Sequence, residues 1–230
     1  MVARATLMVL CCAALLGACA APKQAAVPLS ASALSSARPV RIGVAMSIVP
    51  TADTHFPGAG CVLCIAAVSV SNTALTAHVR TLPTEDLLSI KDDLAELLRK
   101  KGHEVIVIAE PLDIDALPER QDSKPNGAKK DFLALGRQYR LDKLLVIHLT
   151  KVGVNRNYNS YIPAGDPQGL VAGAGYIVNL DDHAYDWYRA LRQLRSATGN
   201  WDEAPAYPGL SNAYFQAIEG ARDALRKPLY

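Results

Sequence analysis

An α/β (α+β) domain, in which a mixed β-sheet is flanked by helices in the order β-α-β-α-β-β-β-α, is the fold class this sequence predicts. Three observations carry that reading. Apolar runs of strand length alternate with helix-period stretches over residues 40–149, two strand patterns then follow one another across a turn, and the chain closes on an apolar face at helical spacing.

The first strand is Val40-Arg41-Ile42-Gly43-Val44-Ala45-Met46, where apolar residues alternate with others. Thr84 then precedes Glu85, Asp86 and the series Leu87, Ile90, Leu94, Leu97 and Leu98, which share one helical face. Acids at its start, Lys100 and Lys101 at its end and Gly102 beyond them mark its limits. Glu104-Val105-Ile106-Val107-Ile108 reads as a buried strand. A polar stretch with Pro111, Pro118, Pro125 and Gly127 leads to a second helix lined by Phe132, Leu135, Gly136 and Tyr139. This helix feeds the strand Leu144 to Leu149, which carries His148 as an expected hydrogen-bonded core histidine. Residues 169–180 and 183–194 are consecutive strands joined by the turn residues Asn179 to Asp182, and Tyr214, Ala217, Ile218, Ala221 and Leu225 share the face of the last helix.

Ahead of this domain stand Arg4, an apolar core from Leu7 to Leu16, and Leu16-Gly17-Ala18-Cys19. A short apolar run with one basic residue and a small-residue cleavage box is the layout of a secretory signal, too short to be a membrane span. Residues 1–18 are therefore expected to be a signal peptide, 19–39 an anchor and flexible tether, the anchor being a lipid as the resemblance of this box to that of bacterial lipoproteins implies, and 40–230 a single periplasmic domain. The tether reading rests on a stretch of Ala, Ser and Pro with almost no charge and no apolar pattern to repay the entropy of ordering.

Charge excludes one class of partner. The chain carries a formal +2, one unit of which is Arg4, and its basic residues are dispersed, so no nucleic-acid surface is expected. Of five cysteines, Cys11 and Cys12 leave with the signal and Cys19 becomes the first mature residue, leaving Cys61 and Cys64. In an oxidising compartment this pair reads as a disulfide. It also stands at the start of a candidate helix, where thiolate is stabilised, so thiol-disulfide oxidoreductase chemistry using Cys61 and Cys64 is the alternative. His55 and His78 could join the two cysteines as tetrahedral zinc ligands, but their spacing is loose and no metal site is expected.

The segment from Cys61 to Val70 is apolar all round. It fits a buried helix or strand packed on the sheet, or a surface that contacts another subunit or the membrane. Two loops carry candidate partner-binding residues: Tyr158 and Tyr161 among amides, and Trp201 and Tyr207 beside acids. Both loops fit recognition, and Trp201 and Tyr207 fit capping of the core edge equally well. Asp181 and Asp182 are adjacent turn residues that point apart, so no catalytic pair is assigned. No nucleophile triad, phosphate-binding glycine loop or nucleotide fingerprint is evident, and no cofactor is expected.

The box Leu16 to Cys19 resembles the lipobox of bacterial lipoproteins. The resemblance implies a diacylglyceryl group on Cys19, cleavage before it and acylation of the new amino group, with palmitate among the chains. Ala20 and Ala21 follow instead of an inner-membrane retention aspartate, which implies the periplasmic face of the outer membrane. Phe132-Leu133-Ala134-Leu135-Gly136 running into Asp142-Lys143-Leu144-Leu145-Val146, and Ala174 to Leu180 leading to Trp187, are similar to the periplasmic domain of three groups. These are the curli-secretion lipoprotein, the lipoprotein activators of penicillin-binding proteins and the amino-terminal domain of the Tol translocation protein. That likeness covers most of residues 40–110, 129–195 and 212–226, whereas 57–80 and 199–211 depart from it. It implies a non-enzymatic binding or assembly role toward an envelope protein or cell-wall partner, and it is compatible with a homo-oligomer.

Overall fold

The computed structural model describes residues 24–34, 39–121 and 124–230, so the signal peptide and the Leu16 to Cys19 box lie outside the described residues. The strands are β1 (Arg41–Met46), β2 (Asp53–His55), β3 (Glu104–Val107), β4 (Lys143–Asn155), β5 (Tyr158–Asn159), β6 (Ile162–Pro163), β7 (Gln168–Asn179) and β8 (Tyr185–Ser196). The α-helices are α1 (Val62–Ser71), α2 (Thr73–Val79), α3 (Glu85–Lys100), α4 (Leu133–Tyr139) and α5 (Pro208–Arg226). Each element expected from the sequence is present and the sheet is mixed, as its class requires. The helices α1 and α2, strand β2 and the small β5–β6 sheet are additions to it.

The main sheet runs β3-β1-β4-β7-β8. β1 pairs parallel with β3 and with the first half of β4, and β2 takes up parallel pairing with the end of β4 where β1 has stopped. β7 and β8 continue antiparallel. Residues i and i+2 of a strand share a face, so one inserted residue exchanges the faces beyond it. β4 uses this at Thr150: the register steps between Leu149 and Lys151, and Val152 and Val154 thereby stay on the side of Leu145, Ile147 and Leu149.

That side is covered by α3 and α5. Leu87, Ile90, Leu94 and Leu98 of α3 are fully buried there, with Leu97 only half-buried, and all five expected positions of α5 are buried beside them. The Tyr214 hydroxyl donates to the Pro83 carbonyl at 2.7 Å, tying α5 to the entrance of α3. α5 crosses β7 where Gly169 stands: a Cβ there would lie 2.2 Å from the Ala213 carbonyl oxygen, so only glycine admits this approach. The other side of the sheet is covered by Phe132 and α4 together with Ile108 and Ile114. Lys143 and Asp186, both largely buried, form an ion pair between β4 and β8.

The expected flexible tether requires a correction within the described residues 24–34. Val27 and Tyr188 exchange two backbone hydrogen bonds of 2.9 Å in an antiparallel bridge on β8, and Leu29 and Leu34 pack against the core. Its few apolar residues occupy part of an open sheet edge and, at Leu29 and Leu34, pack on the core cluster that contains Trp187, which a composition argument does not foresee. Removing residues 20–34 is therefore expected to lower the unfolding free energy by about 1–3 kcal/mol, from the partial burial of Val27, Leu29 and Leu34. Chemical denaturation of the shortened chain measures this, and an unchanged midpoint would show that the segment merely rests on the domain.

Candidate functional site

At the end of the sheet where β4 finishes, the chain between β2 and α3 and the β5–β6 hairpin build an outcrop. Gly58 makes it possible: with φ at 87° it lies so close to the Tyr158 carbonyl that a Cβ would be 1.8 Å from the oxygen. The hairpin seats on this turn through Tyr158 N–H to the Pro57 carbonyl at 2.8 Å and Ser160 N–H to the Gly58 carbonyl at 3.1 Å. A small core of Ala59, Val68, Tyr158, Phe56 and Cys64 fills the space beneath α1.

α1 itself is mostly uncovered. Val68 is its one buried residue, whereas Val62 is 84 % exposed, Leu63 82 % and Val70 77 %. The expectation of a helix or strand packed on the sheet is thus corrected: α1 touches the main sheet on no broad face, because β2 and the β5–β6 hairpin hold it beyond the sheet's end. Tyr161 and Ile162, at the tip of the hairpin, are exposed beside it. No Asp, Glu, Lys or Arg occurs between Thr54 and Val79.

Cys61 and Cys64 are joined by a disulfide across the first turn of α1. Cys61 is also the amino-terminal cap, its sulfur accepting the Cys64 N–H at 2.9 Å. The pair therefore fixes the start of an otherwise weakly packed helix. His55 and His78 are engaged elsewhere. His55 Nε2 lies 3.3 Å from the Val152 carbonyl and His78 Nε2 lies 2.8 Å from Ser211 Oγ. Among the described residues no three His, Cys, Asp or Glu side chains are grouped to hold a metal ion.

The four candidate partner-binding residues have unlike fates. Tyr158 is buried, and its hydroxyl accepts from Asn72 Nδ2 at 2.6 Å. Tyr207 is buried with its ring 5.0 Å from that of His78. Trp201 packs its half-buried ring on the core and beneath the Arg156 guanidinium at 4.6 Å. These three side chains build the edge of the core, and Tyr161 alone of the four projects into solvent, 67 % exposed.

A second feature escaped sequence reasoning. On the α4 side of the sheet, Tyr176, Tyr185 and Tyr188 form an aromatic cluster with ring centroids 5.2–6.0 Å apart. With Phe132, Lys129 and His148 they line a groove of about 390 Å³, and Gln24 closes one side of it. Tyr185 and Tyr188 are three apart and would face opposite ways in a regular strand. The register step between Ile177 and Val178 sets Asp186 apart as a bulge, so both rings fall on one face. His148 is only partly covered here, not a core histidine. Burial pushes the Tyr185 hydroxyl up to about 12 and Tyr188 in the same direction, so both remain neutral donors.

The sequence matches no family model and no curated protein. Among solved structures the chain is similar to the PelC dodecamer of Paraburkholderia phytofirmans, at 12 % identity and a TM-score of 0.39, covering 89 % of this chain and 94 % of that one. It is also similar to lipoprotein GNA1162 of Neisseria meningitidis, at 14 % identity and a TM-score of 0.28 over 79 % of this chain and 99 % of that one. A third similarity is to protein XCC0632 of Xanthomonas campestris, at 10 % identity and a TM-score of 0.31 over 86 % and 90 % of the two chains. These likenesses are distant.

Replacing both cysteines, Cys61→Ser/Cys64→Ser, is expected to cost about 1–2 kcal/mol, small because the bridged loop is short. Denaturant unfolding of the double variant measures it. Turnover of a disulfide substrate by the wild-type chain, lost in that variant without unfolding, would promote the redox alternative. A pH effect follows from the histidines. Burial lowers His55, despite the opposing Val152 carbonyl, and also lowers His78, His103 and His148. Each is then protonated more readily unfolded than folded. Their stability contribution is complete above about pH 6.5 and is lost as pH falls through the folded values. Thermal midpoints should therefore drop between neutral and mildly acidic pH, and His55→Gln/His148→Gln should flatten part of that drop.

Proposed function

We propose that this chain is a lipoprotein anchored through Cys19 to the periplasmic face of the outer membrane, acting as a non-enzymatic binding or assembly accessory of the cell envelope. The observation that carries a contact role is α1, an apolar helix uncovered by its own domain. Leaving Val62, Leu63 and Val70 in water forgoes burial worth about 1.5–3 kcal/mol each, so such a surface is retained for something that covers it. The Leu16-Gly17-Ala18-Cys19 box supports the anchor, and the likeness of the 129–195 region to periplasmic assembly domains supports the role. An envelope protein or cell-wall partner fits the groove lined by Tyr176, Tyr185 and Tyr188, whose neutral hydroxyls and stacked rings suit neutral polar or cyclic groups.

Cys19→Ser tests the reading. The variant is expected to leave the membrane fraction for the soluble one, and the wild type to carry acyl mass on its amino-terminal peptide. A wild-type protein without acyl mass that still sediments with membranes would refute the anchor.

A further inference from the structure

We propose that the tyrosine groove over β7 and β8 is a carbohydrate-binding site for a short stretch of an uncharged pyranose glycan, an inference that rests on the accessory role above and makes the partner in this groove a glycan rather than a protein.

The first support is a set of polar groups left without partners. Tyr176 is 5 % exposed and lines the groove, yet its hydroxyl makes no hydrogen bond to any described residue. A phenol withdrawn this far from water ordinarily has a partner. The imidazole of His148 likewise makes no hydrogen bond to a described residue, and burial lowers its pKa, so at neutral pH it offers one donor and one acceptor. Asp115 stands close enough to act on the charge of His148 and adds a carboxylate acceptor to the lining. At the rim, Gln24 donates through Nε2 to Asn126 Oδ1 at 3.0 Å and to the Ala25 carbonyl at 2.9 Å, which leaves its Oε1 as a further acceptor.

The apolar part has the matching shape. Tyr185 and Tyr188 are half-buried, each with its ring against that of Tyr176, and the rings of Tyr176 and Tyr188 lie within 18° of parallel. A pyranose divides its surface in the same way, with C–H groups on a flat face and hydroxyls around the edge. Its face stacks on an aromatic ring while its edge meets the donors and acceptors that fix orientation. The volume of about 390 Å³ lies within the range of about 300–1,000 Å³ typical of small-molecule sites.

Charge argues against an ionic ligand. Lys130 Nζ donates to the Asp115 and Leu117 carbonyls, both at 3.1 Å, and lies 3.7 Å from Glu119, so its charge is already engaged. Lys129 and Asp115 then oppose each other in sign, and the lining favours neither an anion nor a cation. The three tyrosine rings also touch one another, with centroids 5.2–6.0 Å apart, which leaves no cage between them for an ammonium group. A neutral, hydroxyl-rich ligand suits what remains.

The test is calorimetric titration of the Cys19→Ser chain with cellotetraose and chitotetraose, with a uronic-acid tetramer and deacetylated chitotetraose as acidic and basic controls. At least one neutral oligosaccharide is expected to bind, at least tenfold more tightly than either charged one. Chitotetraose binding assigns the site to the N-acetylated glycan of the wall, and cellotetraose binding alone to another envelope polysaccharide. Tyr188→Ala is expected to weaken binding at least tenfold. Tyr176→Phe removes only the unpartnered hydroxyl, so it should weaken binding severalfold with a thermal midpoint no lower than that of the parent. Absence of binding by both neutral oligosaccharides at millimolar concentration overturns the inference and leaves the groove to an envelope protein. Tighter binding of a charged tetramer, or binding that both variants leave intact, overturns it as well. The accessory reading is judged separately: cleavage of the bound oligosaccharide would refute a non-enzymatic role, and missing acyl mass on the wild-type protein would refute the anchor, while the titrations stand in either case.

Discussion

Strand β4 is buried on both faces from Leu144 to Ile147, and the placement of the other elements follows from covering it. Leu145, Ile147 and Leu149 point to α3 and α5, whereas Leu144 and Val146 point to Phe132 and α4. Its edges are taken by β1 and then β2 on one side and by β7 along almost its full length on the other. From Leu144 to Ile147, where every side chain is fully buried, such a strand must satisfy its backbone groups through neighbouring strands, because water reaches neither face. The bulge at Thr150 keeps Val152 and Val154 on the covered side, and the last part of β4 then reaches past the main body to support β2 and the outcrop.

The two surface features sit at different distances from that constraint. The tyrosine groove lies directly over β7 and β8, so its rings are held by the sheet and stacked on each other. α1 is held by short contacts only: the Gly58 turn, Val68, the Asn72 to Tyr158 hydrogen bond and a disulfide at its first turn. A rigid pocket and a projecting apolar helix on one domain permit two contacts to be made at once.

Periodicity in the sequence speaks for elements whose faces are buried on one side. Leu87, Ile90, Leu94 and Leu98, or Tyr214 to Leu225, have a face because the sheet requires one. α1 has no such face, so Val62 to Val70 reads equally as core or as surface until its place beyond the sheet is known. In sequence Tyr158 reads as a recognition-loop aromatic and Tyr207 equally as that or as a cap of the core edge, and each fills a local space that only the folded chain creates. The groove was hidden for a different reason: the bulge at Asp186 reverses the expected facing of Tyr185 against Tyr188. Residues 24–34 lack any pattern of their own and dock because β8 offers an open edge.

The bridge between Val27 and Tyr188 has a mechanical side. Tension on the amino-terminal end, directed along β8, loads its two hydrogen bonds together in shear, with Leu29 seated against the core behind them. Separating paired strands by sliding resists force better than peeling them apart one bond at a time. A tug from the amino-terminal side would therefore meet this short clamp before it reached β1, sparing the inner sheet from strain as long as the clamp holds.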